Sequence, residues 1–162
     1  MFDTIFGLPM HPLVVHATVV IVPLSAVLVA LAALWRRFRS WAGFLPFGTS
    51  VLGLILVPIS TSSGEELERR LPKSALIDRH AELADGLLPW VIVLAVAAAA
   101  LLFIHLREKS DRHKALSRAS LAAVIIVAIV ASVGTMVQVG RIGHSGANAS
   151  WSDVVSSTPS QP

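Results

Sequence analysis

Residues 13–35 read LVVHATVVIVPLSAVLVALAALW, a run without a single Asp, Glu, Lys or Arg. At ~1.5 Å of rise per residue, about 23 helical residues cross the ~30 Å hydrocarbon core of a bilayer with some tilt. The whole chain agrees with that reading. Of its 162 residues 54% are hydrophobic and 14% charged, with a mean hydropathy of +0.73, whereas a soluble domain carries about a quarter charged residues. The sequence therefore predicts an integral membrane protein. Pro23, inside the run, predicts a kink, and Trp35 with Arg36, Arg37 and Arg39 marks where the chain leaves the hydrocarbon.

Ahead of this span, residues 1–12 hold Gly7, Pro9 and Pro12, too many breakers for a helix interior, although Pro12 suits a first helical turn. The lead-in has no basic segment and no small-residue cleavage site, so the run reads as a retained span and not as a signal peptide. A second span is predicted over 41–60, where Gly43, Gly48 and Gly53 recur with Ser50 and could admit a neighbouring backbone. Residues 61–79 place Leu67, Leu71, Leu76 and Ile77 among charges and read as a short amphipathic helix, broken at Pro72, lying at the membrane surface. A third span follows over about 80–106, kinked at Pro89 and smooth at Ala97-Ala98-Ala99-Ala100, and a fourth over about 115–139. The Gly140–Gly146 segment reads as irregular and residues 152–162 as a disordered tail. The predicted fold is all-α, an integral membrane four-helix bundle of two helical hairpins over residues 1–151, with a short interfacial amphipathic helix between spans two and three.

Eight of the 13 Lys and Arg residues fall around the first and third connections: Arg36, Arg37, Arg39, Arg107, Lys109, Arg112, Lys114 and Arg118. The positive-inside rule then predicts a multi-pass protein of the cytoplasmic membrane with both termini outside. The basic residues form no interleaved face or arm, so membrane lipid is the expected contact and nucleic acid is not. There is no cysteine, which removes disulfides, thiolate metal sites, iron–sulfur ligation and covalent haem attachment together. No nucleophile–base pairing, phosphate loop or dinucleotide fingerprint is present, so no catalytic residue is assigned.

With that topology, His11, His16, His80 and His144 all fall at the outer ends of spans, while His105 and His113 lie at the other face beside Arg107 and Arg112. The two halves share a layout: His16, span, basic connection, span, Ser63-Gly64, and again His80, span, basic connection, span, Ser145-Gly146. Two parallel hairpins would make His16 and His80 pseudo-equivalent on diagonal helices, an arrangement that can build a cofactor site. Facing neutral imidazoles suit low-spin haem iron, so haem b is one expectation, with His16, His80, His144 and His11 as candidate ligands. A divalent transition metal held by His16, His80, His144 and Glu82 is the other. Glu82 and Asp85 could also orient an imidazole, or serve as first-turn carboxylates favoured by the helix dipole.

Three stretches carry a family resemblance: Leu8-Pro9-Met10-His11-Pro12-Leu13-Val14-Val15-His16, His80-Ala81-Glu82-Leu83-Ala84-Asp85, and Gly143-His144-Ser145-Gly146-Ala147. Together they resemble the bacterial four-span membrane family called domain of unknown function 2231, over about residues 1–151. Members commonly have Phe-Pro after the second histidine, where this chain has Ala17-Thr18. The family is often found beside or fused to redox modules, which implies a role in membrane electron transfer. The functional expectation is a membrane-embedded electron-transfer or accessory redox subunit, non-enzymatic itself, holding haem b or a metal ion near the outer face. A redox protein on that face and a homo-oligomer are the candidate partners. The alternative is a cofactor-free scaffold or assembly subunit of a larger complex.

Overall fold

A computed structural model describes residues 4–5, 8–110 and 117–156. Arg112, His113, Lys114 and the expected tail from 157 onward lie outside the described residues, as do the side chains from 152 onward. A two-residue antiparallel pair, Thr4–Ile5 (β1) with Leu8–Pro9 (β2), precedes the first helix. Most of the other described residues are helical, and among the described residues four helical segments are long and apolar enough to cross a membrane.

The first span is α1, Met10–Leu34, with Pro12 in its first turn and Pro23 inside it. It ends where Trp35 leaves helical geometry at φ −127°, ψ 100°. The basic connection then forms its own short helix, α2, Arg36–Ala42, closed by Gly43 at φ 55°, a left-handed conformation that glycine adopts without steric cost. Gly43 is therefore a turn residue ahead of the second span. That span is α3, Leu45–Glu68, and it overruns the predicted end at 60. Ser63-Gly64-Glu65-Glu66 continues the helix because nothing breaks it until Pro72, shortly after the last helical residue.

The amphipathic helix exists but sits later than predicted. It is α4, Ala75–Asp85, capped by the Ser74 hydroxyl accepting from the Leu76 N–H at 3.3 Å, and none of its residues is buried. The third span is α5, Leu87–Lys109, so the change of helix falls at Gly86 and Pro89 lies in a first turn, where its missing N–H costs nothing. The fourth is α6, Arg118–Ser156. It passes helically through the Gly140–Gly146 segment that the sequence marked as irregular. Packing against α4 supports this stretch, and tertiary contact of this kind overrides weak glycine propensity.

The helices follow one another around the bundle as α1, α3, α5, α6, with α1 and α5 on a diagonal. Small residues let the axes approach at the arginine end: Ala26, Val29, Ala32 and Ala33 of α1 meet Leu94, Ala97, Ala98 and Leu101 of α5, with Ala128 and Ala131 of α6. Of the three recurring glycines of the second span only Gly53 is approached closely, a Cβ there lying 3.4 Å from Val22 Cγ2. Trp35, Phe38 and Trp41 form an aromatic group at this end, and Arg39 is buried, its guanidinium donating to the Ala32 carbonyl at 2.9 Å and reaching Glu108 at 3.4 Å. Those contacts satisfy a carbonyl from the last turn of α1 that has no helical partner.

Candidate functional site

At the opposite end the bundle opens. A cavity of about 450 Å³ lies between the start of α1, the last turns of α3, α4, the start of α5 and the late part of α6. Its floor is apolar: Val57 and Leu87 line it and pack with Val22 and Val91 beneath. Val15, Val19, Ile77, Val139 and Ile142 add apolar wall, while His11 and His80 bring the two imidazoles and Glu65, Glu68 and Asp85 the carboxylates.

His11 stands at the start of α1 and His80 within α4, which leads into α5, so the two come from the diagonal pair of spans. Both rings are seated in the same way. His11 Nδ1 lies 3.1 Å from the Ser60 carbonyl and 3.2 Å from Ser63 Oγ. His80 Nδ1 lies 3.0 Å from Ser145 Oγ. Each serine hydroxyl donates backward into its own helix, Ser63 to the Ser60 carbonyl and Ser145 to the Ile142 carbonyl, both at 2.9 Å. A hydroxyl has one proton, so a serine that donates in this way accepts toward the imidazole.

With the hydroxyls so turned, the hydrogen-bond network assigns the tautomer of the neutral ring. In this assignment Nδ1 carries the proton in both histidines, and among the described residues none bonds the Nε2 lone pair. Behind each ring the next residue is glycine: a Cβ on Gly64 would stand 3.0 Å from His11 Cε1, and one on Gly146 would stand 3.0 Å from His80 Cε1. The Ser-Gly pair of each half is therefore a cradle for one imidazole.

The equivalence between the halves is real in this geometry but its register differs from the sequence reading. His80 corresponds to His11, not to His16. The remaining candidate residues stand apart from the cavity. His16 is exposed, with its Nδ1–H donating to the Pro12 carbonyl one turn back. His144 is exposed and faces Asn148 at 3.2 Å. Glu82 is exposed and pairs with Arg79 at 3.4 Å. Among the described residues no three His, Cys, Asp or Glu side chains come together in a group that could hold a metal ion. The structure thus brings His11 and His80 to one cavity and leaves His16, His144 and Glu82 outside it. Ser63 and Ser145 were visible in the sequence as a repeated Ser-Gly pair, but the histidine that each serves was not.

A further polar side chain braces this end. Gln138, buried on α6, donates its amide to the Leu83 carbonyl of α4, a group left without a helical partner by the break at Gly86.

The family described as "Predicted membrane protein (DUF2231)" matches residues 7–159 of the chain. No curated protein and no solved structure matches it.

Proposed function

The chain belongs to the DUF2231 family of predicted membrane proteins, and from the cavity at the histidine end of its bundle we propose that it is a membrane-embedded electron-transfer or accessory redox subunit with haem b held between His11 and His80. The observation that carries this reading is the pair of imidazoles on one cavity, each with Nδ1–H bonded and Nε2 free. Haem iron would need as few as two protein ligands, which His11 and His80 would provide. A Zn²⁺ or Cu²⁺ site of the usual kind needs further protein ligands, and the described residues bring no such group together. Ligand pockets commonly enclose ~300–1,000 Å³ and are mostly apolar with a few placed polar groups, a description this cavity meets.

Bound there, the haem would supply one-electron chemistry, and the protein's part is to hold the iron and exclude water from one side of it. Val22, Val57, Leu87 and Val91 close the path toward the bundle interior, while Glu65, Glu68 and Asp85 bring carboxylates to the cavity lining. We place the protein in the cytoplasmic membrane with both termini and the cavity outside, on the strength of Arg36, Arg37, Arg39 and Arg107 at the other end. A redox protein would then exchange electrons at the outer face.

The test is the absorption spectrum of purified protein from haem-replete cells, oxidised and reduced, followed by titration with haem in detergent. A low-spin bis-histidine spectrum is the expected result. A colourless protein that takes up no haem on titration would overturn the reading and favour a cofactor-free scaffold.

A further inference from the structure

The two imidazole cradles are alike in shape and unequal in hold. His11 Nδ1–H has two acceptors, the Ser60 carbonyl at 3.1 Å and Ser63 Oγ at 3.2 Å. The carbonyl belongs to the backbone of α3 and cannot be removed by substituting a side chain. Among the described residues His80 Nδ1–H has one acceptor, Ser145 Oγ at 3.0 Å. The rings are otherwise seated equally, each with a glycine behind Cε1 at the same 3.0 Å. The helices that carry them differ in the same direction: α1 continues from His11 into a buried core, whereas no residue of α4 is buried.

We propose that Ser145 is the positioning residue of this site, the single group that keeps His80 in the tautomer whose Nε2 can act as a ligand, while Ser63 is backed by the Ser60 carbonyl and is dispensable for His11. A neutral imidazole bears one ring proton, and the partner of one nitrogen decides which nitrogen is free. Without the Ser145 hydroxyl nothing retains the proton on Nδ1 of His80, and the Nε2–H form, which offers no lone pair from that atom, becomes available to it. Loss of a second group of this kind typically lowers metal affinity by about 10- to 100-fold. The accepted hydrogen bond also raises the basicity of the ligand, which favours ferric iron, so its loss moves the midpoint potential upward. The tautomer statement stands on the hydrogen bonds alone; its effect on iron rests on the haem reading above.

The experiment therefore has two stages. In the haem-free full chain in detergent, ring nitrogen chemical shifts of 15N-histidine-labelled protein report the tautomers. The wild type should show Nδ1–H for His11 and His80. Ser145→Ala should convert His80 to a mixture or to Nε2–H and leave His11 unchanged, which also shows that the variant is folded; Ser63→Ala should change neither. Ser145→Thr, which keeps the hydroxyl, should restore the His80 signature. In the haem-loaded protein, Ser145→Ala should weaken axial ligation by His80 and raise the potential, and Ser63→Ala should do so far less. Unchanged His80 shifts in Ser145→Ala, or equal effects of Ser63→Ala and Ser145→Ala on their histidines, would overturn the proposal. A wild type that shows Nδ1–H for both histidines yet binds no haem would refute the haem reading and leave the positioning role intact.

Discussion

Replacing Gly146 by Ala opposes two effects that the structure allows to be separated. In a helix interior Ala is favoured over Gly by about 1 kcal/mol, and Gly146 lies well inside α6, Arg118–Ser156. The added Cβ would stand 3.0 Å from His80 Cε1 and 3.2 Å from His80 Nδ1. The ring must retreat by several tenths of an ångström to reach ordinary contact, and retreat lengthens its 3.0 Å hydrogen bond to Ser145. Losing that bond costs about 0.5–1.5 kcal/mol. The two terms nearly cancel, so thermal stability in detergent should stay within about 1 kcal/mol of wild type. Haem affinity has no compensating term and should fall by about 10- to 100-fold. Gly64→Ala should behave alike, since its Cβ meets His11 at the same distance. Gly140→Ala is the control, with nothing within 4 Å of its Cβ; it should gain stability and leave haem binding unchanged. Unaltered haem affinity in both Gly64→Ala and Gly146→Ala would refute the cradle.

Other expectations follow from the same contacts. Gly134→Ala would set a Cβ 2.1 Å from the Trp90 ring, and such overpacking should lower stability by about 1–3 kcal/mol in thermal unfolding. Thr135→Val removes a fully buried hydroxyl that has no hydrogen-bond partner among the described residues and should stabilise the fold by roughly 1 kcal/mol. Gln138→Leu frees the Leu83 carbonyl at the end of α4 and should speed hydrogen exchange in α4 while leaving α1 unaffected. Reporter fusions at Ser40 and Ser110, beside the Arg36–Arg39 and Arg107–Lys109 groups, should read cytoplasmic; an external readout at both would turn the cavity to the inner face.

The spans were legible because hydropathy is a property of long windows, and Leu13 to Leu34 needs no neighbour to declare itself. Ends were less legible. Thr61 to Glu68 and Gly140 to Gly146 look polar or glycine-rich, yet both continue helices, because that end of the bundle encloses a cavity and the helices rise around it. The same extension explains the histidines. With α3 and α6 cut short, Ser63 and Ser145 fell in connections and His16 seemed the match for His80. With both helices continued, His11 and His80 take the serines and His16 turns outward. A five-residue slip along α1 is more than a full turn, which moves a side chain to another level and another face. That the two halves match was visible in the Ser-Gly pairs; which histidine each pair serves required the helix lengths.

Low-temperature electron paramagnetic resonance of the ferric protein tests the central claim most directly. The wild type should give the low-spin signal of two axial imidazoles, lost in His11→Ala and in His80→Ala. A double variant, His16→Ala with His144→Ala, should keep that signal unchanged. A low-spin signal that survives removal of both His11 and His80, or one abolished by changing His16 and His144, would contradict the assignment of the site.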